Sequence, residues 1–219
     1  MLPLSTILRQ SVCHYGGKGD DILDGGDGID SVSESADVNF TLTNTQLVGN
    51  GNDNLINIER VTLTGGISNN TLNASSFTIA SVYLYGGNGN DSLLGSSNND
   101  YLYGQNDSDR LIGNAGNDHL YGGAGDDILI GGAGNDLLYG QTGVDIFVLA
   151  SGNGNDSILD FKDGIDKLGL FGGLTYGALT ISATSNKTFI RITSTNETLA
   201  ILSGINFSLI TESDFIPVL

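Results

Sequence analysis

The sequence predicts an all-β fold: a parallel β-helix-like solenoid with 18-residue coils built from nonapeptide repeats, closed by a C-terminal antiparallel β region. Three observations carry this expectation. A nonapeptide of the form Gly-x-x-x-x-Asp-x-apolar-x recurs without insertion from Gly86 to Val148. The chain holds 33 Gly but only 2 Pro in 219 residues, so turns are frequent and strands are rarely interrupted. From Leu179 onward the pattern changes to the strict alternation of "LTISAT" and "TFIRITS", the period of half-buried strands.

The repeats set the geometry. From Gly86 the units are GGNGNDSLL, GSSNNDYLY, GQNDSDRLI, GNAGNDHLY, GGAGDDILI, GGAGNDLLY and GQTGVDIFV. Position six is always Asp: Asp91, Asp100, Asp109, Asp118, Asp127, Asp136 and Asp145. Position eight is always large and apolar: Leu93, Leu102, Leu111, Leu120, Leu129, Leu138 and Phe147. Two further units, GGKGDDILD and GGDGIDSVS, occupy Gly16 to Ser33 with Asp21 and Asp30, and a looser copy from Ser151 to Leu159 contains Asp156. The first six residues of a unit suit a tight turn and the last three a short strand with one inward side chain. Two units return the chain to its starting side, and neighbouring coils stack at the strand spacing of ~4.8 Å. A flexible or low-complexity linker would not keep the apolar phase of position eight.

This geometry sorts the aspartates into two columns. Asp91, Asp109, Asp127 and Asp145 fall on one edge, and Asp100, Asp118, Asp136 and Asp156 on the other. Two carboxylates at ~4.8 Å repel by about 3 to 4 kcal/mol at an effective dielectric near 20. Between Gly86 and Val148 the sole Lys or Arg is Arg110, so protein cations cannot neutralise them. A hard divalent cation can, and an all-oxygen set of carboxylates and turn carbonyls without His or Cys selects calcium, several ions in all.

These nonapeptides resemble the repeat-in-toxin (RTX) family, G-G-x-G-x-D-x-U-x, a calcium-binding parallel β-roll. The resemblance implies that each ion sits between turns one coil apart, held by position-six Asp carboxylates and turn carbonyls. On this chain those ligands are Asp21, Asp30 and the two columns, with carbonyls at Gly87, Gly89, Gly123, Gly125, Gly132 and Gly134. GSSNNDYLY, GQNDSDRLI and GNAGNDHLY depart from the glycine pattern. The resemblance also implies a secreted or cell-surface protein exported by type I secretion machinery. "LITESDFIPVL" at the C-terminus resembles the uncleaved signal of that route. Binding of the extracellular class, at about 10⁻⁴ to 10⁻³ M, would leave the chain loose until it meets calcium outside the cell.

The expected organisation is an N-terminal segment (1–15), first repeats (16–33), a parallel β-helix-like spacer (34–85), the main roll (86–159) and a C-terminal β cap with secretion signal (160–219). In the spacer, Val61–Leu63, Thr71–Asn73 and Val82–Leu84 read as short strands, with Asn73 either in an internal ladder or in a turn. "LDFKDGIDKLGL" resembles the segment closing RTX arrays, where Asp160, Asp163 and Asp166 either bind a terminal ion or sit in a solvated turn. "MLPLSTILRQSVCHY" lacks the basic start and small-residue cleavage site of a secretory leader, and no apolar run reaches the ~18 residues of a membrane helix.

Function classes narrow accordingly. Eight Lys and Arg against 25 Asp and Glu, a formal charge of -17, exclude nucleic acid and anionic membrane as natural counterparts. A single cysteine, Cys13, makes no intramolecular disulfide. Only His14 and His119 exist, His119 reading as an exposed strand residue, and H-E-x-x-H, G-x-S-x-G and the EF-hand pattern are absent. "GAGDD" leads into another turn, not the helix of a dinucleotide site. The expectation is a non-catalytic roll acting as scaffold, cap or interaction surface. The other reading is the C-terminal part of a larger secreted toxin, adhesin or enzyme. Tyr101, Tyr103, Tyr121 and Tyr139 either shield the outer face or form a stripe for glycans or cell-surface components.

Overall fold

Each nonapeptide sends one side chain inward, and 18-residue stacking turns those side chains into a continuous apolar column. In the computed structural model, which describes residues 12–184 and 186–218, Leu93, Leu102, Leu111, Leu120, Leu129, Leu138 and Phe147 are all fully buried. The register between coils is constant: Leu102 pairs with Leu120 and Leu120 with Leu138 on one sheet, Leu111 with Leu129 and Leu129 with Phe147 on the other. Residues 1–11, most of the expected N-terminal segment, and Leu219 of the expected export signal lie outside the described residues.

Among the described residues, two 11-stranded sheets face one another across this core. The first runs from Cys13–His14 through Ser31–Ser35, Arg60–Thr64, Val82–Gly87, Tyr101–Asn106, His119–Ala124 and Leu137–Thr142 to Asp156–Ile158. The second contains Ile22–Asp24, Thr71–Ser76, Ser92–Leu94, Arg110–Ala115, Ile128–Ala133, Ile146–Leu149 and Lys167–Leu170. Successive half-coils alternate between the sheets, and all pairs within the nonapeptide array are parallel.

The division of each unit differs from the expected six-residue turn and three-residue strand. In the central array the strands run six residues, as in His119–Ala124, from position seven of one unit through position three of the next. Only positions four to six remain for the turn. Backbone pairing continues through the glycine-rich start of the unit because position two pairs with position two of the adjacent coils: Gln105 with Gly87 and with Gly123.

Between Ser33 and Gly86 the solenoid continues through Arg60–Thr64, Thr71–Ser76 and Val82–Gly87, with Val61, Leu63, Leu72, Val82 and Leu84 fully buried. Phe40–Thr43, Gln46–Val48 and Asn52–Ile56 depart from it, forming an antiparallel meander within the second sheet. Asn73 sits inside the strand Thr71–Ser76, paired with Leu94 and Thr41, and not in a turn; its Oδ1 accepts the Ser75 amide at 3.0 Å and hydroxyl at 2.7 Å. At the C-terminal end Leu179–Thr184, Lys187–Ile192 and Thr198–Ser203 form the antiparallel cap, docked on the roll by parallel pairing of Thr198–Ser203 with Asp156–Ile158. On the opposite sheet the roll continues in parallel through Lys167–Leu170 to Phe215–Pro217.

Truncating one rung of the column leaves a cavity that the rigid coils cannot close. Leu129→Ala is therefore expected to cost about 2 to 5 kcal/mol, measured by denaturant unfolding in saturating calcium.

Candidate metal centre

Position six ends each turn and faces the interior, so its carboxylate must find partners inside the coil. Asp30, Asp91, Asp100, Asp109, Asp118, Asp127, Asp136, Asp145 and Asp156 are buried, and Asp21 is partly so. One oxygen is committed to the backbone, since Oδ1 accepts the N–H of position six one coil earlier. On one edge the Asp91 amide donates to Asp109 at 2.7 Å, Asp109 to Asp127 at 2.8 Å and Asp127 to Asp145 at 3.1 Å. On the other, Asp100 donates to Asp118 at 2.7 Å, Asp118 to Asp136 at 2.8 Å and Asp136 to Asp156 at 3.2 Å. Asp166 extends the first ladder by accepting the Asp145 amide at 3.2 Å. Asp160 accepts the amides of Gly140 and Gln141, and Asp163 is exposed.

The second oxygen behaves differently. Oδ2 of Asp21, Asp30, Asp91, Asp109, Asp118, Asp127, Asp136 and Asp145 is buried with no hydrogen-bond partner. Its surroundings supply acceptors: a Cβ on Gly86 would lie 2.5 Å from Asp91 Oδ2 and 2.6 Å from the Gly104 carbonyl oxygen of the next coil. The space left by the missing Cβ is thus bordered by a carboxylate oxygen and a carbonyl oxygen. A buried cluster of acceptors without a donor fits a cation, and the all-oxygen donor set fits calcium. No three His, Cys, Asp or Glu side chains converge as a metal cluster among the described residues, so backbone carbonyls must complete any coordination shell.

Position one, Gly in all nine regular units, is not among the ligand positions expected from the sequence. The signal was there, in a position more constant than positions two or four. Gly87, Gly89, Gly123, Gly125, Gly132 and Gly134, the expected carbonyl ligands, all have positive φ. A Cβ at Gly87 would strike the Gly66 carbonyl, and one at Gly125 the Asp107 carbonyl, so these glycines also allow the coils to approach.

Not every turn is open. At Asp100, Oδ2 accepts the Ser96 amide at 2.5 Å and Oδ1 its hydroxyl at 2.9 Å. Asp166 Oδ2 accepts the Lys162 amide at 2.8 Å, and Asn70 Oδ1 accepts the Gly66 amide at 2.8 Å. In each case the donor stands four residues earlier, at the place of position two, and lacks positive φ. In the units from Gly104 to Val148, position two has positive φ: Gln105, Asn114, Gly123, Gly132 and Gln141. Ser96 lies outside the three-residue strand Ser92–Leu94, so its amide is free to bond its own aspartate.

Burial dominates the electrostatics. It pushes the carboxyls of Asp109 and Asp127 up to about 7 and that of Asp118 up to about 8. Bonds from backbone amides pull these values down, and carboxylates of the same column raise them again. Asp100 and Asp145 rise to about 6 by burial as well.

The outer face of the first sheet carries an aromatic ladder. Tyr85, Tyr103, Tyr121 and Tyr139 stack face to face at 4.8 to 4.9 Å, as do Tyr83 and Tyr101, with the His119 ring tilted against Tyr101. Within the ladder the ring faces are taken by one another, so a sugar would meet edges and hydroxyls.

Comparisons with known proteins follow the same residues. The family model of the RTX calcium-binding nonapeptide repeat matches residues 15–32 and, in overlapping registers, 85–120, 103–138, 112–147 and 121–158. The AlgE6R3 subunit of the Azotobacter vinelandii mannuronan C5-epimerase is similar, with 28% identity over 55% of this chain and 79% of that one, and a TM-score of 0.45. The extracellular lipase LipA of Serratia marcescens shares 17% identity over 93% of this chain, with a TM-score of 0.42. This chain spans 38% of that lipase. Among curated proteins, none matches.

A carboxyl group whose folded value is raised stabilises the fold fully below its unfolded value near 4, and that contribution is gone once pH exceeds the raised value. The metal-free chain is thus expected to gain β structure as pH falls from about 8 to about 5, followed by far-UV circular dichroism in chelator. A β signal that instead grows with rising pH would contradict the electrostatics above.

Proposed function

With RTX calcium-binding nonapeptide repeats at residues 15–32 and 85–158 as the premise, we propose that this is a secreted protein whose roll completes its folding on binding calcium outside the cell. The folded roll then serves as a scaffold, cap or interaction surface without a catalytic site of its own. The observation that carries this reading is the row of buried, unpartnered Oδ2 atoms.

Calcium, when bound, supplies the positive charge and the preference for oxygen that these turns lack. The chain does the rest. In the open turns, Oδ1 of the position-six Asp holds the coil below through its amide, while Oδ2 remains for the ion. The glycine at position one leaves the space beside it. Carbonyls of neighbouring turns, those of Gly123, Gly125, Gly132 and Gly134 among them, supply the remaining oxygens. Without the ion, carboxylates ionised at neutral pH oppose burial and the glycine-rich turns favour the open chain. A binding strength of about 10⁻⁴ to 10⁻³ M, typical of extracellular modules, would keep the chain unfolded in the cytosol and compatible with type I export.

Far-UV circular dichroism with calcium and then with chelator tests the coupling. The β signal is expected to fall sharply on chelation at neutral pH, and an unchanged spectrum would refute it. Single sites separate further. Asp118→Asn keeps an acceptor for the Asp100 amide but removes the charge, and is expected to raise the calcium concentration at the folding midpoint by about tenfold, a loss of about 1.4 kcal/mol. Asp100→Asn, in the turn already closed by Ser96, is expected to shift that midpoint less.

A further inference from the structure

The nonapeptide pattern stops at Ser33 and resumes at Gly86, leaving the two N-terminal units without a regular neighbour on their C-terminal side. Their aspartates nevertheless resemble those of the array. Asp30 is fully buried with Oδ2 unpartnered, and Asp21 Oδ2 is likewise buried and unpartnered.

In the array, the next coil presents a second carboxylate to the position-six amide. At Asp30 that place is taken by Glu59, whose Oε2 accepts the Asp30 amide at 2.9 Å from 29 residues further on. At Asp21 it is taken by Asp53, whose Oδ1 accepts the Asp21 amide at 3.0 Å from 32 residues further on. Neither acid belongs to a nonapeptide. Position one is reproduced too: a Cβ on Gly25 would strike the Asn57 carbonyl and the Asp30 carboxyl, as one on Gly86 would meet the Gly104 carbonyl and Asp91. Asn57 has a φ of 52°, a left-handed turn residue at the spacer's edge. On the opposite edge a Cβ on Gly16 would lie 2.7 Å from Asp53 Oδ2 and 2.9 Å from Glu34 Oε1. Glu34 and Asp53 are 4% and 2% exposed.

We propose that Glu59 and Asp53 are calcium ligands, completing with Asp30 and Asp21 two sites shared between the first repeats and the spacer. Glu59 ends a three-residue turn between Asn52–Ile56 and Arg60–Thr64, as Asp ends each three-residue turn of the array, and its carboxylate takes the place an Asp occupies there. The spacer is then bound into the calcium-dependent coil, although it lacks the repeat. This inference rests on the calcium reading of the array.

The experiment uses the full chain and calcium itself. Hydrogen exchange of residues 25–31 and 104–145 is compared with and without calcium in the wild type and in Glu59→Gln, which keeps an acceptor for the Asp30 amide. In the wild type both regions are expected to gain protection; in E59Q the gain at 25–31 is lost while that at 104–145 stays. Equilibrium dialysis with radioactive calcium is expected to show one ion fewer bound by E59Q and one fewer by Asp53→Asn. An unchanged ion count in both variants, or protection at 25–31 in E59Q equal to the wild type, overturns the inference. A wild type that gains protection at 104–145 but not at 25–31 overturns it while leaving the array's reading intact. Absence of any gain in either region overturns both.

Discussion

Everything in this coil depends on a carboxylate that is buried with half of its bonding done. The position-six aspartate accepts one backbone amide from the coil below and so fixes the stacking register. Its other oxygen is left among acceptors. The ladder needs only an acceptor at Oδ1, and it begins at Asn70, whose backbone amide donates to Asp91 Oδ1 at 2.6 Å. What Asp adds is charge at a place where burial opposes charge, and the fold resolves that opposition by protonation or by a cation.

The backbone is arranged around the same atom. Position one is Gly because the carboxylate and a carbonyl of the next coil border the place of its Cβ; any larger residue would displace one of them. Position two either pairs with its equivalents in adjacent coils, as Gln105 does, or turns its amide onto its own aspartate, as Ser96 does. The choice leaves Oδ2 open in the first case and closed in the second. A second ladder runs along the exposed edge in the opposite sense: the Asn117 amide donates to Asn99 Oδ1 and the Asn135 amide to Asn117 Oδ1, each at 2.7 Å. Position five therefore ties turn to turn without drawing on the carboxylates.

The period of nine made most of this legible from residues alone. Constant Asp and constant apolar positions gave the all-β coil, its inward column and the alternation of edges. Strand length is not legible in this way, because glycine-rich residues have the conformational freedom of a turn, whereas parallel pairing holds them in the sheet despite positive φ at position two. The antiparallel meander at Phe40–Ile56 has no period to read and depends on tertiary pairing. Glu34, Asp53 and Glu59 were invisible for the same reason: each reaches the position-six environment across 17 to 32 residues rather than 18. The tyrosines were placed on the outer face by their phase, but their stacking on one another follows from the coil spacing.

The three turns that close on their own amides are not scattered. Asn70 and Asp100 precede the run of open turns from Asp109 to Asp145, and Asp166 follows it. In a solenoid each coil is stabilised chiefly by its neighbours, so a coil stacked on an already closed turn begins with one edge formed. The five consecutive open turns from Asp109 to Asp145 lie between turns satisfied by protein atoms, while Asp91 stays open between Asn70 and Asp100. Unpartnered oxygens at Asp21, Asp30 and Asp91 carry the demand for a cation into the N-terminal coils as well, so it runs along the roll and is interrupted where a turn closes on its own amide.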